Sequence, residues 1–295
     1  MMREPFSYRF YRTLTDGIRP FAQALLFERS RRHKEDRTRL GERRGEATRS
    51  RPGGPLVWVH GASVGESLSL LPIVEALAAQ GYSVIVTSGT VTSAKVLARR
   101  LPEGSTHQYM PLDVPHYVAR FLDHWRPDLA IFAESEIWPN MICESFKRDI
   151  PLVLVNGRMS DRSFQRWTKM RSFARYLFAR FDLCLAQTQA DAERLVRLGA
   201  PRVTVTGNLK FDAVPPPASP MTVQAMKAFI GDRPLWLAAS THPGEEAIII
   251  EAHRALATRY PDLLTIIAPR HPERGREIFS ATARAGLRAS QRSMG

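Results

Sequence analysis

Residues 56–71 read LVWVHGASVGESLSLL. A run with strand character, residues 56–60, meets a turn of small residues, and an apolar helical pattern begins directly after Glu66 and Ser67. This order predicts a strand, a loop and a helix with a carboxylate in its first turn. Ligands of open α/β sheets collect outside the carboxyl ends of the strands, so Glu66 is a candidate to face a substrate. The helix dipole alone also favours a Glu here, and this local explanation stands beside the functional one.

Short apolar or β-branched runs recur after this unit and alternate with helical patterns. The predicted strands are residues 56–60, 82–87, 129–133, 152–156, 183–187 and 203–207. Predicted helices between them include residues 92–100, 117–125, 138–147 and 191–198. Strands that alternate with helices predict an α/β fold with a parallel, doubly wound sheet.

Polar side chains follow the predicted strands where each one ends, which indicates an active-site rim rather than a stabilising feature. Glu134 and Glu136 come directly after a predicted strand, and one of them is sufficient for a cleft. Capping of the helix before Trp138 is the alternative. The rim contains three carboxylates, an arginine, a lysine and several hydroxyls or amides, among them Glu66, Glu134, Glu136, Asn156, Arg158, Gln187, Thr188, Asn208 and Lys210.

The length, the net charge and the missing motifs of the chain exclude several classes of function. The 295 residues allow two domains, and a net charge of +13 indicates anionic partners such as nucleic acid, phosphorylated ligands or a membrane surface. The two cysteines, Cys143 and Cys184, lie in no CxxC or Cys/His cluster, so no metal site is expected. The absence of GxGxxG and GxxxxGK[ST] disfavours a dinucleotide oxidoreductase or a P-loop NTPase. No RNA- or DNA-binding motif is recognisable, so no nucleic-acid partner is predicted.

Residues 1–52 lack the uninterrupted apolar core of a signal peptide or a spanning helix. Apolar residues spaced by three and four predict an interfacial helix with a kink at Pro20, and its apolar face comprises Tyr11, Leu14, Ile18, Phe21 and Leu25. A basic tract follows, with Arg29, Arg31, Arg32, Lys34, Arg37, Arg39, Arg43 and Arg44. This combination is typical of segments that bind an anionic bilayer surface without crossing it. The alternative is a helix packed on its own domain, followed by a solvated charged linker.

Residues 213–220, AVPPPASP, are stiff and extended in character and predict a domain boundary. Beyond them the pattern predicts helices at 221–230, 245–260 and 273–285, strands at 235–239 and 263–268, and a third strand beginning at Leu287. Two complete strands and three helices are few for a domain of this type, and we expect this domain to be incomplete. The loop STHPG, at 240–244, suits an anion such as a nucleotide phosphate. Hydrogen-bonded structural histidines are the expectation for His60 and His271.

Six segments in order, HGASVGE, AESEIWPN, VNGRMSDRS, VTGNLKFD, AASTHPGEE and APRHPER, resemble the bacterial 3-deoxy-D-manno-octulosonic acid (Kdo) transferases. The resemblance implies a two-domain GT-B glycosyltransferase that is inverting and uses neither a metal nor a cofactor. It also implies transfer of Kdo from CMP-Kdo to a phosphorylated lipid A precursor at the cytoplasmic face of the bacterial inner membrane. The basic N-terminus would then attach peripherally to that membrane.

The resemblance also implies roles for single residues. Glu66 would be the general base, and Glu136 and Lys210 would stabilise the transition state. The residues expected to contact the CMP of the donor are Pro269, Arg270, Ser240 and Thr241. The domains implied are a membrane-associating segment and linker at 1–52, an acceptor-binding Rossmann-like domain at 53–212, a linker at 213–220, and a partial CMP-sugar-binding Rossmann-like domain at 221–295.

One departure from the family pattern opens a second hypothesis. Family members continue past a point like Gly295 with glycine-containing loops and an Asn-x-x-Glu segment that hold the rest of CMP. The alternative function is therefore a catalytically inactive remnant that binds the acceptor or the membrane.

Overall fold

The computed structural model describes residues 3–32, 34–211 and 218–292. The chain divides into two compact units, Met1–Val214 and Pro215–Gly295. The greater part of the predicted linker, residues 213–217, lies outside the described residues, and a helix begins at its last residue, Pro220. Within the described ranges, no helix has both the length and the apolarity needed to span a bilayer.

The first unit is built on a seven-stranded parallel sheet in the order β3-β2-β1-β4-β5-β6-β7. Its strands are β1 (Leu56–His60), β2 (Ser83–Ser88), β3 (Ser105–Tyr109), β4 (Leu129–Ala133), β5 (Leu152–Gly157), β6 (Leu183–Ala186) and β7 (Val203–Val205). Its helices are α1 (Phe6–Gly17), α2 (Arg19–Arg31), α3 (Val64–Ala79), α4 (Val91–Leu97), α5 (Pro115–Trp125), α6 (Pro139–Phe146), α7 (Asp161–Lys169), α8 (Arg171–Phe178) and α9 (Gln189–Leu198). Short 3₁₀ helices span Arg37–Arg44 and Leu209–Phe211.

The sheet is covered on both faces, as a parallel sheet requires. All five residues of β1 are buried, and the ring of Trp58 lies 4.9 Å from the ring centres of both Phe121 and Phe132. Burial of side chains of this kind contributes about 1.5–3 kcal/mol each. The doubly wound α/β fold expected from the alternating pattern is therefore confirmed.

Strand β3 was not anticipated because its sequence, STHQY, has no apolar pattern. It is an edge strand that pairs only with β2, and the basic tract supplies partners for its backbone groups. The buried Glu42 accepts a hydrogen bond from the Tyr109 backbone N–H at 2.7 Å, and Arg39 donates to the His107 carbonyl at 2.9 Å. Residues 37–44 of the tract are therefore packed on the first unit, whereas Arg31 and Arg32 are each 67% exposed.

The N-terminal segment forms two helices rather than one kinked helix. Helix α1 ends at Gly17, and Pro20 stands in the first turn of α2, where a missing N–H is tolerated. Buried side chains on both helices pack on the first unit, among them Tyr8, Ala22 and Leu26.

The second unit contains β8 (Leu235–Thr241) and β9 (Leu264–Pro269), which pair in parallel, with helices α10 (Pro220–Ile230), α11 (Glu245–Ala257) and α12 (Gly275–Arg284). The prediction of a third strand at Leu287 is wrong, since residues 287–291 adopt no regular structure. Large apolar side chains of this unit are exposed, including Leu237 at 57% and Ile248 at 68%.

Candidate active site

The seven parallel strands of the first unit end at the sheet edge where the predicted rim lies. Strand β1 is flanked by β2 on one side and by β4 on the other, so the strand order reverses at the β1/β4 junction. Ligands of doubly wound sheets bind outside the carboxyl ends of the strands at such a switch point. The loop after β1 delivers Glu66 to this edge, and the loop after β4 delivers Glu134 and Glu136.

Glu66 lies in the first turn of α3, in a loop that holds both of its carboxylate oxygens. The Ala62 backbone N–H donates to Oε2 at 2.8 Å, and the Ser63 hydroxyl donates to Oε1 at 2.8 Å. Ser63 is also the N-cap residue, whose hydroxyl oxygen accepts from the Glu66 backbone N–H at 3.2 Å. This reciprocal cap fixes the rotamer of Glu66 at the start of the helix.

Two glycines allow this loop to close tightly over the sheet edge. A Cβ at Gly61 would come within 3.1 Å of the Glu66 Cβ and 2.9 Å of the Leu70 side chain. A Cβ at Gly89, after β2, would lie 2.9 Å from the Ala62 carbonyl oxygen, which instead accepts a hydrogen bond from the Gly89 N–H. Any side chain at either glycine would push Glu66 away from the ends of β1 and β2.

Glu136 is held from two directions. The Trp138 indole N–H donates to its Oε2 at 2.6 Å, and Nε2 of the buried His60 lies 3.4 Å from the same oxygen. Burial alone raises the pKa of Glu136, but His60 and Trp138 outweigh it and hold the pKa below its usual value. The carboxylate is therefore ionised near neutral pH.

Lys210 forms an ion pair with Glu134 and not with Glu136. Its Nζ lies 2.7 Å from Glu134 Oε1, and the Glu134 side chain is 12% exposed. The buried Asn156 connects the two segments, because its Oδ1 accepts from the Leu209 N–H at 3.1 Å and its Nδ2 lies 3.5 Å from Glu134 Oε1. Asn156 thus positions the 3₁₀ helix that carries Lys210.

Glu134 and Asn156 both adopt a left-handed backbone conformation, with φ of +53° and +54°. Such conformations are strained for residues other than glycine and concentrate at functional sites. Glu134 follows β4 and Asn156 lies near the end of the neighbouring strand β5, and the Arg158 N–H donates to the Glu134 carbonyl at 3.3 Å. Two of the left-handed residues other than glycine therefore lie at the edge that carries the candidate residues, while Arg126 and Asp149 lie before β4 and β5.

The second unit carries the four residues expected to contact CMP. Ser240 is exposed with φ of +59°, and Arg270 is exposed with no side-chain partner in the described part of the chain. Thr241 pairs with Pro269 between β8 and β9, and its buried hydroxyl donates to Glu246 at 2.8 Å. The bidentate Arg274 holds the pKa of Glu246 at about 2, so the partner of Thr241 is a permanent carboxylate.

Hydrogen bonds connect helix α1 to the first turn of α6, where the AESEIWPN segment ends. The Tyr11 hydroxyl donates to the partly buried Asp113 at 2.8 Å, and Asp113 also accepts from the backbone N–H groups of Asn140 and Met141. The Asn140 side chain donates to the Thr15 hydroxyl at 3.0 Å. Tyr11 therefore faces the protein, whereas Leu14, Ile18, Phe21 and Leu25 of the predicted apolar face are exposed, together with Phe6 and Phe10.

Three features of this site lie beyond the reach of the sequence pattern. His60 was expected to be structural, Glu134 was one of two alternatives, and Asn156 was only one member of the rim. The structure gives each of them a contact with a residue at least 22 positions away. The left-handed φ of Glu134 carries no sequence signal, whereas asparagine at position 156 is one of the residue types that tolerate this conformation. In the described ranges, no group of three or more His, Cys, Asp or Glu residues is arranged to hold a metal ion.

Solved structures share this fold. One is a UDP-GlcNAc 2-epimerase from Neisseria meningitidis bound to UDP-GlcNAc, with a TM-score of 0.56 and 15% identity over 78% of this chain and 70% of that one. Another is a glycosyltransferase from Rickettsia africae, with a TM-score of 0.55 and 12% identity over 80% of this chain and 66% of that one. At these identities the likeness extends to the fold alone and confirms its GT-B type.

Curated relatives show closer similarity. A probable mitochondrial 3-deoxy-D-manno-octulosonic acid transferase of Arabidopsis thaliana is 34% identical over 98% of this chain, and the enzymes of Rickettsia bellii and Haemophilus influenzae are 35% identical over 97% and 90%. The chain spans 66%, 68% and 64% of these three relatives. The family model of 3-deoxy-D-manno-octulosonic-acid transferase (kdotransferase) matches residues 38–213. The chain belongs to the Kdo transferase family of glycosyltransferases.

Proposed function

We propose that the chain serves the transfer of Kdo from CMP-Kdo to a lipid A precursor, with Glu66 as the general base. The main support for this proposal is the pair of hydrogen bonds that fixes the Glu66 carboxylate at the β1/β4 switch point. Each carboxylate oxygen accepts one hydrogen bond, from Ala62 or Ser63, and a carboxylate oxygen offers about two lone-pair positions. Both oxygens retain the capacity to accept a proton in a fixed orientation.

In the proposed reaction the acceptor hydroxyl gives its proton to Glu66 while its oxygen bonds to the anomeric carbon of Kdo. The bond from that carbon to the phosphate oxygen breaks, and CMP leaves with the electron pair. Attack from the face opposite the phosphate inverts the anomeric centre. Positive charge on that carbon favours a nearby carboxylate, which is the proposed role of Glu136, and the departing phosphate favours a cation such as Lys210.

Lys210 is neutralised by Glu134 in this structure, so its proposed role requires a second state of the ion pair. The Lys210 side chain is 46% exposed, and exposed ion pairs contribute only about 0–1 kcal/mol. The donor phosphate carries one negative charge and gains a second as CMP departs, and a phosphate of this kind competes readily with a single carboxylate at that strength. We therefore assign Glu134 the role of holding Lys210 until a phosphate arrives.

In the second unit we assign Arg270, Ser240 and Pro269 to the CMP moiety. Arg270 has a free guanidinium in the described part of the chain, which suits a phosphate or the cytosine ring. We assign Thr241 the role of positioning the same loop, since its hydroxyl donates its hydrogen bond to Glu246 and not to a ligand.

We further propose that α1 and α2 lie on an anionic membrane surface at the cytoplasmic face of the bacterial inner membrane. Their outward face presents aromatic side chains, with Phe6 79%, Phe10 59% and Phe21 72% exposed. Most of the basic tract is unsuited to lipid phosphates, because Arg43 is buried against Glu35 and Arg39 is paired with Glu42. Cations without an ion-pair partner among the described residues stand instead on α7 and α8, namely Arg162, Arg166, Lys169, Arg171 and Arg175.

These two surfaces belong to one layer of the first unit. The Tyr8 ring of α1 packs on Phe173 of α8, and Phe173 packs in turn on Trp167 of α7. An aromatic face beside unpaired cations is the combination that holds a protein at an anionic bilayer.

A transfer assay with CMP-Kdo and a lipid A precursor tests the proposed activity. We expect transfer by the unmodified chain, loss of transfer in Glu66→Gln, and full transfer in Glu75→Gln, a matched control on the exposed face of the same helix. No transfer by the unmodified chain, with acceptor binding intact, would support the inactive remnant instead.

Vesicle flotation tests the membrane surface. Deletion of residues 1–52 would remove the buried Tyr8 and Arg43 and disturb the fold. Point variants on the exposed surface avoid this and therefore test membrane binding more directly. We expect Phe10→Ser with Phe21→Ser, and separately Arg162→Glu with Arg166→Glu, to reduce binding to vesicles that contain anionic lipid. The exposed Phe211 offers the control substitution Phe211→Ser. Undiminished flotation of both double variants would rule the surface out.

A further inference from the structure

His60 stands at the end of β1 and is 1% exposed. Its Nδ1 lies 2.9 Å from the Thr87 hydroxyl on β2, and its Nε2 faces Glu136 Oε2 at 3.4 Å. The ring of Phe132 packs against it edge-on. A single buried imidazole therefore connects the interior of the sheet with the carboxylate proposed to stabilise the transition state.

The hydrogen bonds around Thr87 determine which nitrogen of His60 carries the proton. The Trp58 indole N–H donates to the Thr87 hydroxyl oxygen at 2.8 Å, and the Gly61 N–H donates to the Thr87 carbonyl at 3.1 Å. The Thr87 side chain is fully buried, so its hydroxyl proton needs an acceptor, and His60 Nδ1 is within reach. Nδ1 also lies 3.1 Å from the Thr87 carbonyl, but that oxygen already accepts from Gly61, whereas the Thr87 hydroxyl proton has no other acceptor among the described residues. Nε2 faces a carboxylate, which only accepts, so the arrangement that satisfies every donor is a neutral imidazole with Nδ1 as acceptor and Nε2–H as donor.

The Nε2–H donor faces the same oxygen of Glu136 that accepts from Trp138. Glu136 Oε2 is thereby fixed from two sides, while Oε1 has no protein partner in the described ranges. A carboxylate with one oxygen anchored and the other free has a defined direction in which its charge is presented.

We infer that His60 is a positioning residue for the transfer reaction: the hydrogen bonds of Trp58 and Thr87 set it as the Nε2–H tautomer, which orients Glu136. This inference rests on the proposed role of Glu136. The residue acts through Glu136 and has no contact of its own with the reacting atoms. Its surroundings differ from those of His253, whose Nδ1 lies 2.8 Å from the Thr265 hydroxyl but which contacts no carboxylate within the described residues.

The tautomer is testable on the whole chain without activity. Nitrogen-15 NMR of the histidine side chains should show His60 with a protonated Nε2 and an unprotonated Nδ1 at neutral pH. Thr87→Val removes the hydroxyl and should abolish this preference, whereas Thr87→Ser should retain it. A protonated Nδ1 in the unmodified chain would overturn the inference.

The positioning role is testable by the transfer rate. Glutamine places its amide nitrogen near the position of Nε2, and asparagine places its amide near Nδ1. We expect His60→Asn to lower kcat about tenfold with little change in KM, His60→Gln to retain most of the activity, and His253→Asn to have no effect. An equal loss in the Gln and Asn variants would reduce His60 to a packing residue.

A double-mutant cycle with Glu136→Gln separates this inference from the proposed function. If His60 acts through Glu136, His60→Asn lowers the rate little further in the Glu136→Gln background. Additive losses would overturn the positioning role while leaving Glu136 essential. Full activity of Glu136→Gln would instead refute the proposed role of Glu136 itself.

Discussion

The loop after β1 and the loop after β4 each present a carboxylate at the same sheet edge but hold it in different ways. Glu66 receives its hydrogen bonds from Ala62 and Ser63, within four residues along the chain. Glu136 receives one from Trp138, and it faces His60, which is 76 residues away in sequence. The first carboxylate is fixed by its own loop, and the second depends on the assembled sheet.

This difference gives a physical reason for assigning the two carboxylates different roles. A proton acceptor needs oxygens that stay accessible, and a short local cap leaves lone pairs open. A charge stabiliser needs a fixed direction, which a buried imidazole from a neighbouring strand provides. The comparison therefore predicts that substitutions around the two loops have effects of different kinds.

The largest effect is expected for the carboxylates themselves. Glu66→Gln keeps the shape of the side chain but removes the basic oxygen, and loss of a general base lowers rates by about 10²–10⁴. We expect Glu66→Gln to remove the acidic limb of the pH–rate profile, on which the rate rises with pH, and Glu136→Gln to lower kcat with less effect on the pH profile. Steady-state transfer rates from pH 5 to 9 measure both. Identical pH profiles for the two variants would contradict the assignment of different roles to Glu66 and Glu136.

A second prediction concerns Lys210, whose partner is also distant in sequence. Lys210→Met should lower kcat/KM for the donor by about 10², because a cation at a departing phosphate is worth a few kcal/mol. Glu134→Gln frees Lys210 and should tighten binding of free CMP, as measured by calorimetry. Lys95→Met on α4 is the control. Weaker CMP binding in Glu134→Gln would mean that Glu134 orients Lys210 rather than restrains it.

The same comparison explains how much the sequence could predict. The cap around Glu66 follows from Ser-x-x-Glu before an apolar run, and each strand with an apolar pattern was found within one or two residues. Strand β3 was missed because partners from residues 37–44 satisfy it instead of apolar contacts. The pairs Lys210 with Glu134 and His60 with Glu136 depend on strand order, which local patterns do not contain.

Asp113 provides a third test, at a contact between residues 102 positions apart. Burial raises the pKa of Asp113 to about 6, against partial opposition from the N–H groups of Asn140 and Met141 and from Tyr11. The folded state therefore binds a proton more tightly than the unfolded chain, and this contribution to stability is present at low pH and lost as pH rises through about 6.

Urea unfolding at several pH values measures this contribution. The free energy of unfolding of the unmodified chain, relative to Asp113→Asn, should fall by about 2–3 kcal/mol between pH 4 and pH 7. Asp262→Asn, at an exposed position, should show no such trend. A difference that stays constant with pH would show that Asp113 titrates at its ordinary pKa.

The smallest effect is expected at the local cap. Ser63→Ala removes the hydroxyl that accepts from the Glu66 N–H and donates to Glu66 Oε1, and loss of an N-cap costs about 1 kcal/mol. The Ala62 N–H still holds Oε2, so the transfer rate should change by no more than a few-fold. Ser160→Ala removes the equivalent cap of α7, where Ser160 accepts from the Ser163 N–H at 3.3 Å, and it should cost similar stability without any change in rate. A loss of rate in Ser63→Ala as large as in His60→Asn would show that the local cap orients Glu66 as strictly as the sheet orients Glu136.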